Sequence, residues 1–200
     1  MGKAPDLEFW RTRYQESRTP WDLGEPSAPA SGLAAGHLAP ASRVFIPGCG
    51  RGHEVLLLAR QGHAVLAVDF APEAIAELRA RAEAEGLAPD IRLLDIFAVP
   101  SDLDGTFDAV LDLACLVALG PTRFADYEAL VWRLLKPGGM LLAVLMEVAG
   151  VRPPPFSISL ATAQALFPPP RWRLAAHEPV QPRDPRRPGP ETTAVFVKTG

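Results

Sequence analysis

Hydrophobic positions along the chain fall into short continuous runs separated by stretches with helical spacing. Arg43 to Ile46 is a β-branched and aromatic run that meets Pro47-Gly48-Cys49-Gly50-Arg51-Gly52. His53 to Gln61 follows as a helix, with Leu56, Leu57 and Leu58 for burial and Gly62 as its stop. Ala64 to Val68 is the next apolar run and ends at Asp69. Ala71-Pro72-Glu73 then opens a helix with Ile75, Leu78 and Ala82 on one face, closing at Gly86. Ile91 to Leu94 ends at Asp95, and Phe107 to Leu111 ends at Asp112. A helix from about Arg123 to Leu135 stops at Lys136-Pro137-Gly138-Gly139, before a strand over Met140 to Met146. Runs without internal polar alternation, spaced by helices, predict a parallel sheet buried on both faces.

The flanks read differently. Leu7 to Ser17 has helical spacing, Thr19-Pro20-Trp21-Asp22 follows, and Pro26 to Gly36 reads as a small-residue linker. Beyond Gly150 lie eleven of the 22 prolines and seven Lys or Arg against three acidic residues, whereas the first 150 residues hold 13 against 20. Trp172 to Ala176 and Thr192 to Lys198 are strand-like, and the Pro- and Arg-rich stretch between them is excluded from a sheet interior because proline donates no ladder hydrogen bond. They are expected to pair antiparallel and close the sheet, with the basic stretch from Arg171 to Arg187 as a solvated hairpin. One domain over residues 1–200 is expected: a covering segment (1–40), a binding core (41–150), and an acceptor-side loop with closing strands (151–200).

Composition narrows the function classes. A formal charge of -3 on 200 residues lacks the basic excess of a general nucleic-acid binder. No apolar run approaches the roughly 20 residues that span a bilayer. Neither Cys49, in the glycine turn, nor Cys115, in an apolar run, belongs to a disulfide framework or a metal-ligand spacing. The cysteines fit a reducing cytoplasm, and the expected protein is a monomer that binds no nucleic acid, membrane or metal and has no general base at readable spacing. His37, His53, His63 and His177 are read as surface or packing residues.

Three strand ends are acidic and a fourth is a glycine turn. In an open parallel sheet these would meet in one crevice at the carboxyl ends of the strands. Gly48 and Gly50 let the backbone approach a ligand, and Asp69, 21 residues after Gly48, is placed to accept from a ribose diol. That pair alone also suits a nicotinamide-type oxidoreductase. However, His53 follows Gly-Cys-Gly-Arg-Gly, with no glycine where the dinucleotide fingerprint needs its third.

Trp10, Tyr14 and Trp21 at i, i+4 and i+11, the run Thr19-Pro20-Trp21-Asp22-Leu23-Gly24, the turn Pro47-Gly48-Cys49-Gly50-Arg51-Gly52 and the stretch Pro154-Pro155-Phe156-Ser157-Ile158-Ser159 carry a specific likeness. Over nearly its whole length the chain resembles the class I S-adenosylmethionine-dependent methyltransferases, and within them the thiopurine and thiol (halide) methyltransferase family. The resemblance implies a Rossmann-like α/β fold, a mostly parallel seven-stranded sheet with a C-terminal antiparallel hairpin. It implies S-adenosyl-L-methionine as cofactor, S-adenosyl-L-homocysteine as product, and direct in-line transfer to a thiol, thiopurine-like, selenium, tellurium or halide acceptor.

By the same resemblance Asp69 holds the ribose hydroxyls, Phe70 packs near the adenine, and Asp95 with Ile96 receives the adenine amino group. Asp112 lines the methionine end, Trp10, Tyr14 and Trp21 cover the cofactor, and Leu113, Cys115 and Phe156 line the acceptor pocket. Three positions depart from the family pattern. Ile46 stands where most methyltransferases are acidic, His53-Glu54 replaces Tyr-Asp, and Leu113, Cys115 and Leu116 replace aromatic residues of the halide enzymes, which implies a wider, aliphatic pocket. A nucleotide-cofactor oxidoreductase and a non-catalytic S-adenosylmethionine-binding protein are the alternatives.

Overall fold

The structure is a computed structural model that describes residues 5–150, 152–180 and 189–200. Its elements are α1 (Leu7–Gln15), α2 (Ala28–His37), β1 (Arg43–Pro47), α3 (His53–Arg60), β2 (Ala64–Asp69), α4 (Pro72–Ala84), β3 (Asp90–Leu93), β4 (Phe107–Leu113), α5 (Leu116–Leu119), α6 (Phe124–Leu134), β5 (Leu135–Met146), α7 (Leu160–Leu166), β6 (Trp172–Val180) and β7 (Glu191–Lys198). The sheet runs β3-β2-β1-β4-β5-β7-β6. β1 to β5 are parallel, and β7 inserts antiparallel between β5 and β6. This is the seven-stranded, mostly parallel arrangement expected.

Successive residues of the parallel strands feed two separate cores, which is why the runs read as continuously apolar. In β1, Val44 and Ile46 pack with Leu33 of α2, Leu56 of α3 and Leu78 of α4. Phe45 faces the other way, into a cluster with Phe107, Tyr127, Leu130 and Leu134. In α3 the inward residues are Val55, Leu56 and Leu58, and Leu57 is only half-buried.

The stretch read as a linker is a helix. α2 opens after Ser27 with Pro29 in its first turn, and Ala30, Leu33 and Ala34 are buried against β4, β5 and β7. Its apolar signal is weak because the buried residues are mostly alanine, whose small side chains let the helix lie close to the sheet. β6 extends to Val180 and includes Pro179, which an edge strand tolerates because its outer side carries no ladder bonds. The tip of the expected basic hairpin, residues 181–188, lies outside the described residues. Among the described residues, no helix is long and apolar enough to cross a membrane.

Candidate active site

β1 is flanked by β2 on one side and β4 on the other, so the direction of winding reverses between β1 and β4. The turns leaving these strands must therefore diverge to opposite faces, and a crevice opens between them. Here it is a cavity of about 670 Å³, within the range of pockets that enclose a small ligand.

The floor is the glycine turn. Asp69, at the end of β2, accepts from Gly50 N and from Ala71 N, both at 2.9 Å. Burial raises its carboxyl above the ordinary value, and the backbone N–H donors oppose that rise. Gly50, at φ 52°, lies so close under the Tyr14 hydroxyl that a Cβ would stand 3.0 Å from it. Phe70 and Ile96 face the same cavity. Asp95 also borders it, and its Oδ1 accepts from Phe97 N to cap the short 3-10 turn Ile96–Ala98.

The roof comes from the N-terminal segment. Trp10 and Tyr14, one helical turn apart in α1, both meet Trp21 edge-on, with ring centroids 5.2 and 6.0 Å away. Burial, and after it the Asp69 charge, pushes the Tyr14 hydroxyl above its ordinary pKa, so it stays protonated. The roof is latched to the floor by charge. Arg51 Nη1 donates to Thr19 Oγ1 at 3.1 Å and to Asp22 Oδ2 at 2.6 Å, and His53 Nε2 lies 2.9 Å from Asp22 Oδ1. His53 and then Arg51, against a desolvation penalty, hold the Asp22 carboxyl well below the usual range. Glu54 Oε1 accepts from Ser27 N at 2.8 Å. His53 and Glu54, which depart from the family pattern, thus act together in tying residues 22–27 to the start of α3.

The far end is apolar and rich in sulfur. Leu113, Cys115, Val117, Met146, Pro154 and Pro155 form this wall. Burial pushes up the Cys115 thiol, and that of Cys49 in the glycine turn, so both are neutral. His53 is the one histidine among the described residues lining the cavity, and it is already engaged by Asp22 and, through Nδ1, by Arg81 at 3.3 Å.

Of the residues expected at the site, Trp10, Tyr14, Trp21, Gly48, Gly50, Asp69, Phe70, Asp95, Ile96, Leu113 and Cys115 meet around this one cavity. Asp112 and Phe156 do not reach its wall. The Asp112 carboxylate turns into the core, where it accepts from Cys115 N and Leu116 N and from the Tyr127 hydroxyl; with three donors waiting behind the turn, it has no reason to face the cavity. The Phe156 ring packs on Gly120 while its N–H donates to Val117 O at 2.7 Å, leaving Pro154 and Pro155 to face inward. The Asp22–His53–Arg51 latch is not legible in the sequence: both motifs are visible, but a separation of 31 positions between Asp22 and His53 carries no spacing that predicts a contact.

The sequence pattern of the thiopurine S-methyltransferase (TPMT) family matches residues 5–195. Thiocyanate methyltransferase 1 of Arabidopsis thaliana is 26% identical over 99% of this chain and 88% of its own length. Thiopurine S-methyltransferase of Xanthomonas campestris pv. campestris is 29% identical over 90% of this chain and 91% of its own. Among solved structures, the Burkholderia thailandensis 1,6-didemethyltoxoflavin-N1-methyltransferase, determined with S-adenosylhomocysteine bound, covers 100% of this chain and 93% of that one. Its TM-score is 0.80 at 22% identity, a likeness of fold. With the family pattern running from α1 into β7, across both the latched roof and the glycine floor, the chain belongs to the thiopurine S-methyltransferase family.

Proposed function

We propose that this protein methylates a small, soft nucleophile, a thiol or thione above all, using S-adenosylmethionine. The observation that carries the reading is the continuity of one cavity from a glycine floor with a buried carboxylate to an apolar wall containing Cys115 and Met146. The cavity fits the cofactor on its own terms. Gly48 and Gly50 keep the floor bare, Asp69 lies at the strand end that suits a diol, and Trp10 and Trp21 offer aromatic faces, each worth about 0.5 to 2 kcal/mol to a nearby cation. When bound, S-adenosylmethionine supplies an electrophilic methyl group on a sulfonium.

The chain's own residues then hold and exclude. In this reading Asp69, Phe70, Asp95 and Ile96 hold the nucleoside. The 5–27 segment covers the site, and the 113–118 and 154–155 walls orient the acceptor and exclude water. Attack by an anionic acceptor on a cationic donor neutralises charge, so a dry, aligned pocket contributes most and no base is required. With Leu113 and Cys115 in place of aromatic side chains, the wall favours acceptors bulkier than halide or thiocyanate. We further read the protein as a monomeric, cytoplasmic small-molecule enzyme whose segments 1–40, 41–150 and 151–200 cover, bind and close.

The test is an acceptor panel of arenethiols, thiopurines, selenolates, thiocyanate and iodide with radiolabelled S-adenosylmethionine, run beside a thermal-shift comparison of S-adenosylhomocysteine with NAD. A ligand at 100 times its Kd adds about 2.7 kcal/mol. Stabilisation by S-adenosylhomocysteine with methylated thiol as product is expected. Stabilisation by NAD alone would overturn the reading, and binding of S-adenosylhomocysteine with no product would leave a non-catalytic binder.

A further inference from the structure

Asp112 and Tyr127 form a buried ionisable pair that touches neither end of the cavity. Asp112 Oδ1 accepts from Cys115 N at 3.0 Å, and Oδ2 accepts from Leu116 N at 3.0 Å and from the Tyr127 hydroxyl. Tyr127 is fully buried in α6, among the residues of the larger core cluster. The turn these bonds close carries Ala114 at φ 71°, a left-handed conformation that a side-chain-bearing residue holds only where its surroundings enforce it. Leu113, Ala114, Cys115, Val117 and Ala118, all in or beside this turn, face the cavity. A carboxylate is the group with acceptor positions enough for two converging N–H donors and a hydroxyl at once.

We propose that Tyr127, acting through Asp112, is the positioning residue for the methyl acceptor: it anchors the 113–118 wall to α6 and so sets how closely the acceptor is held against the transferring methyl. The inference rests on the reading of this cavity as a methyltransferase site. Neither side chain contacts cofactor or acceptor; the effect travels through the strained turn. Burial raises the Asp112 carboxyl to about 6, with the Tyr127 and backbone donors opposing the rise. The titratable groups facing it are Tyr127 from α6 and the Cys115 thiol, with Asp69, Cys49 and Asp95 beyond Cys115, and none of them is a cation. Protonation places a hydrogen on one oxygen, which then gives up an acceptor position, and the turn slackens.

The test compares the full-length parent with Tyr127→Phe, Ala114→Gly and Asp112→Asn, using thiophenol as acceptor. Tyr127→Phe is expected to raise the acceptor KM and lower kcat/KM for thiophenol by about tenfold, the cost of one lost buried hydrogen bond, while S-adenosylhomocysteine affinity by calorimetry stays within about twofold. The variant-to-parent ratio, in which the acceptor's own ionisation cancels, should worsen as pH falls from 8 to 6, because loss of the hydroxyl donor raises the Asp112 carboxyl further. Asp112→Asn should remove that acid limb. Amide exchange reads the tie without turnover: protection of Cys115 N–H and Leu116 N–H should fall about tenfold in Tyr127→Phe.

Ala114→Gly, whose glycine holds φ 71° without help from its surroundings, should recover part of the loss when combined with Tyr127→Phe; Asp112→Asn, which keeps the side chain's shape, decides the matter if Tyr127→Phe does not fold. Unchanged KM and unchanged protection in the variants would overturn the inference, as would loss of cofactor and acceptor affinity in parallel. A parent that binds S-adenosylhomocysteine but methylates no thiol defeats the proposed function instead, and the amide protections then still decide for or against the Tyr127–Asp112 tie.

Discussion

Asp22 and His53 lie 31 residues apart in the chain and 2.9 Å apart in the fold, one on the segment that roofs the cavity and the other in the first turn of the helix that follows its glycine floor. Arg51 takes the second carboxylate oxygen, so both oxygens of Asp22 are bound by the floor. The contact is partly buried and hydrogen-bonded, unlike the exposed ion pairs that contribute little. Asp22→Asn should weaken S-adenosylhomocysteine binding about tenfold, chiefly through faster release, and raise amide exchange at Trp21 and Leu23. Unchanged release by stopped-flow tryptophan fluorescence would show that the roof does not need the latch. Because the Asp22 carboxyl is held low, it is ionised in both folded and unfolded chains from pH 5 to 8. The contribution of its own ionisation is lost progressively as pH falls from the ordinary carboxylate value through the depressed folded one.

Gly50 and Gly52 differ in what a methyl group would meet. At Gly50 the new Cβ would stand 3.0 Å from Tyr14 Oη, at a positive φ. Gly50→Ala should cost cofactor affinity more than stability, and part of the loss should return in the double variant with Tyr14→Phe. Calorimetry on the four-member cycle measures that coupling, and strict additivity would separate the two residues.

At Gly52 the Cβ would fall 2.3 Å from Leu78 Cδ1, inside the packing of α3 on α4, at φ 69°. Gly52→Ala should therefore destabilise the fold, by about 1–3 kcal/mol for overpacking and strain together. A urea midpoint equal to that of the parent would contradict the packing.

Asp69→Asn tests the floor. Its two oxygens already order Gly50 and Ala71, and an amide can accept on only one side. S-adenosylhomocysteine affinity should fall at least about tenfold, read by calorimetry; a variant that binds like the parent would remove Asp69 from the nucleoside site.

Asp112 makes stability depend on pH. Its folded value of about 6 stands above the unfolded 3.8, so between those values the folded chain binds a proton that the unfolded chain has released. Stability from this group is full below about pH 4 and is lost as pH rises through 6, by roughly 3 kcal/mol at most. Urea midpoints at pH 5 and 7.5 should differ more in the parent than in Asp112→Asn. Equal differences would place the pH dependence elsewhere.

Much of the site was legible because its signals are local. The glycine turn, the acidic strand ends and the Trp10–Tyr14–Trp21 spacing each sit within a few residues of the backbone feature they serve, and eleven of the thirteen residues expected there meet at one cavity. The α2 helix was not legible: Ala30 and Ala34 are buried, but alanine gives little amphipathic contrast, and Gly32 and Gly36 interrupt the helical pattern.

The sequence by itself determined the alternation of buried strands and helices, the order of the binding elements and the chemistry available at each strand end, because backbone preference and hydrophobic period act over one or two turns of chain. Tertiary structure alone decided which way each side chain faced and what it met. Asp112 ends a strand just as Asp69 does, yet it turns inward to Tyr127, fifteen residues away on α6. His53, without a partner at readable spacing in the chain, meets Asp22 only in the fold. Such pairings depend on where the sheet places separate elements, and no local spacing encodes that.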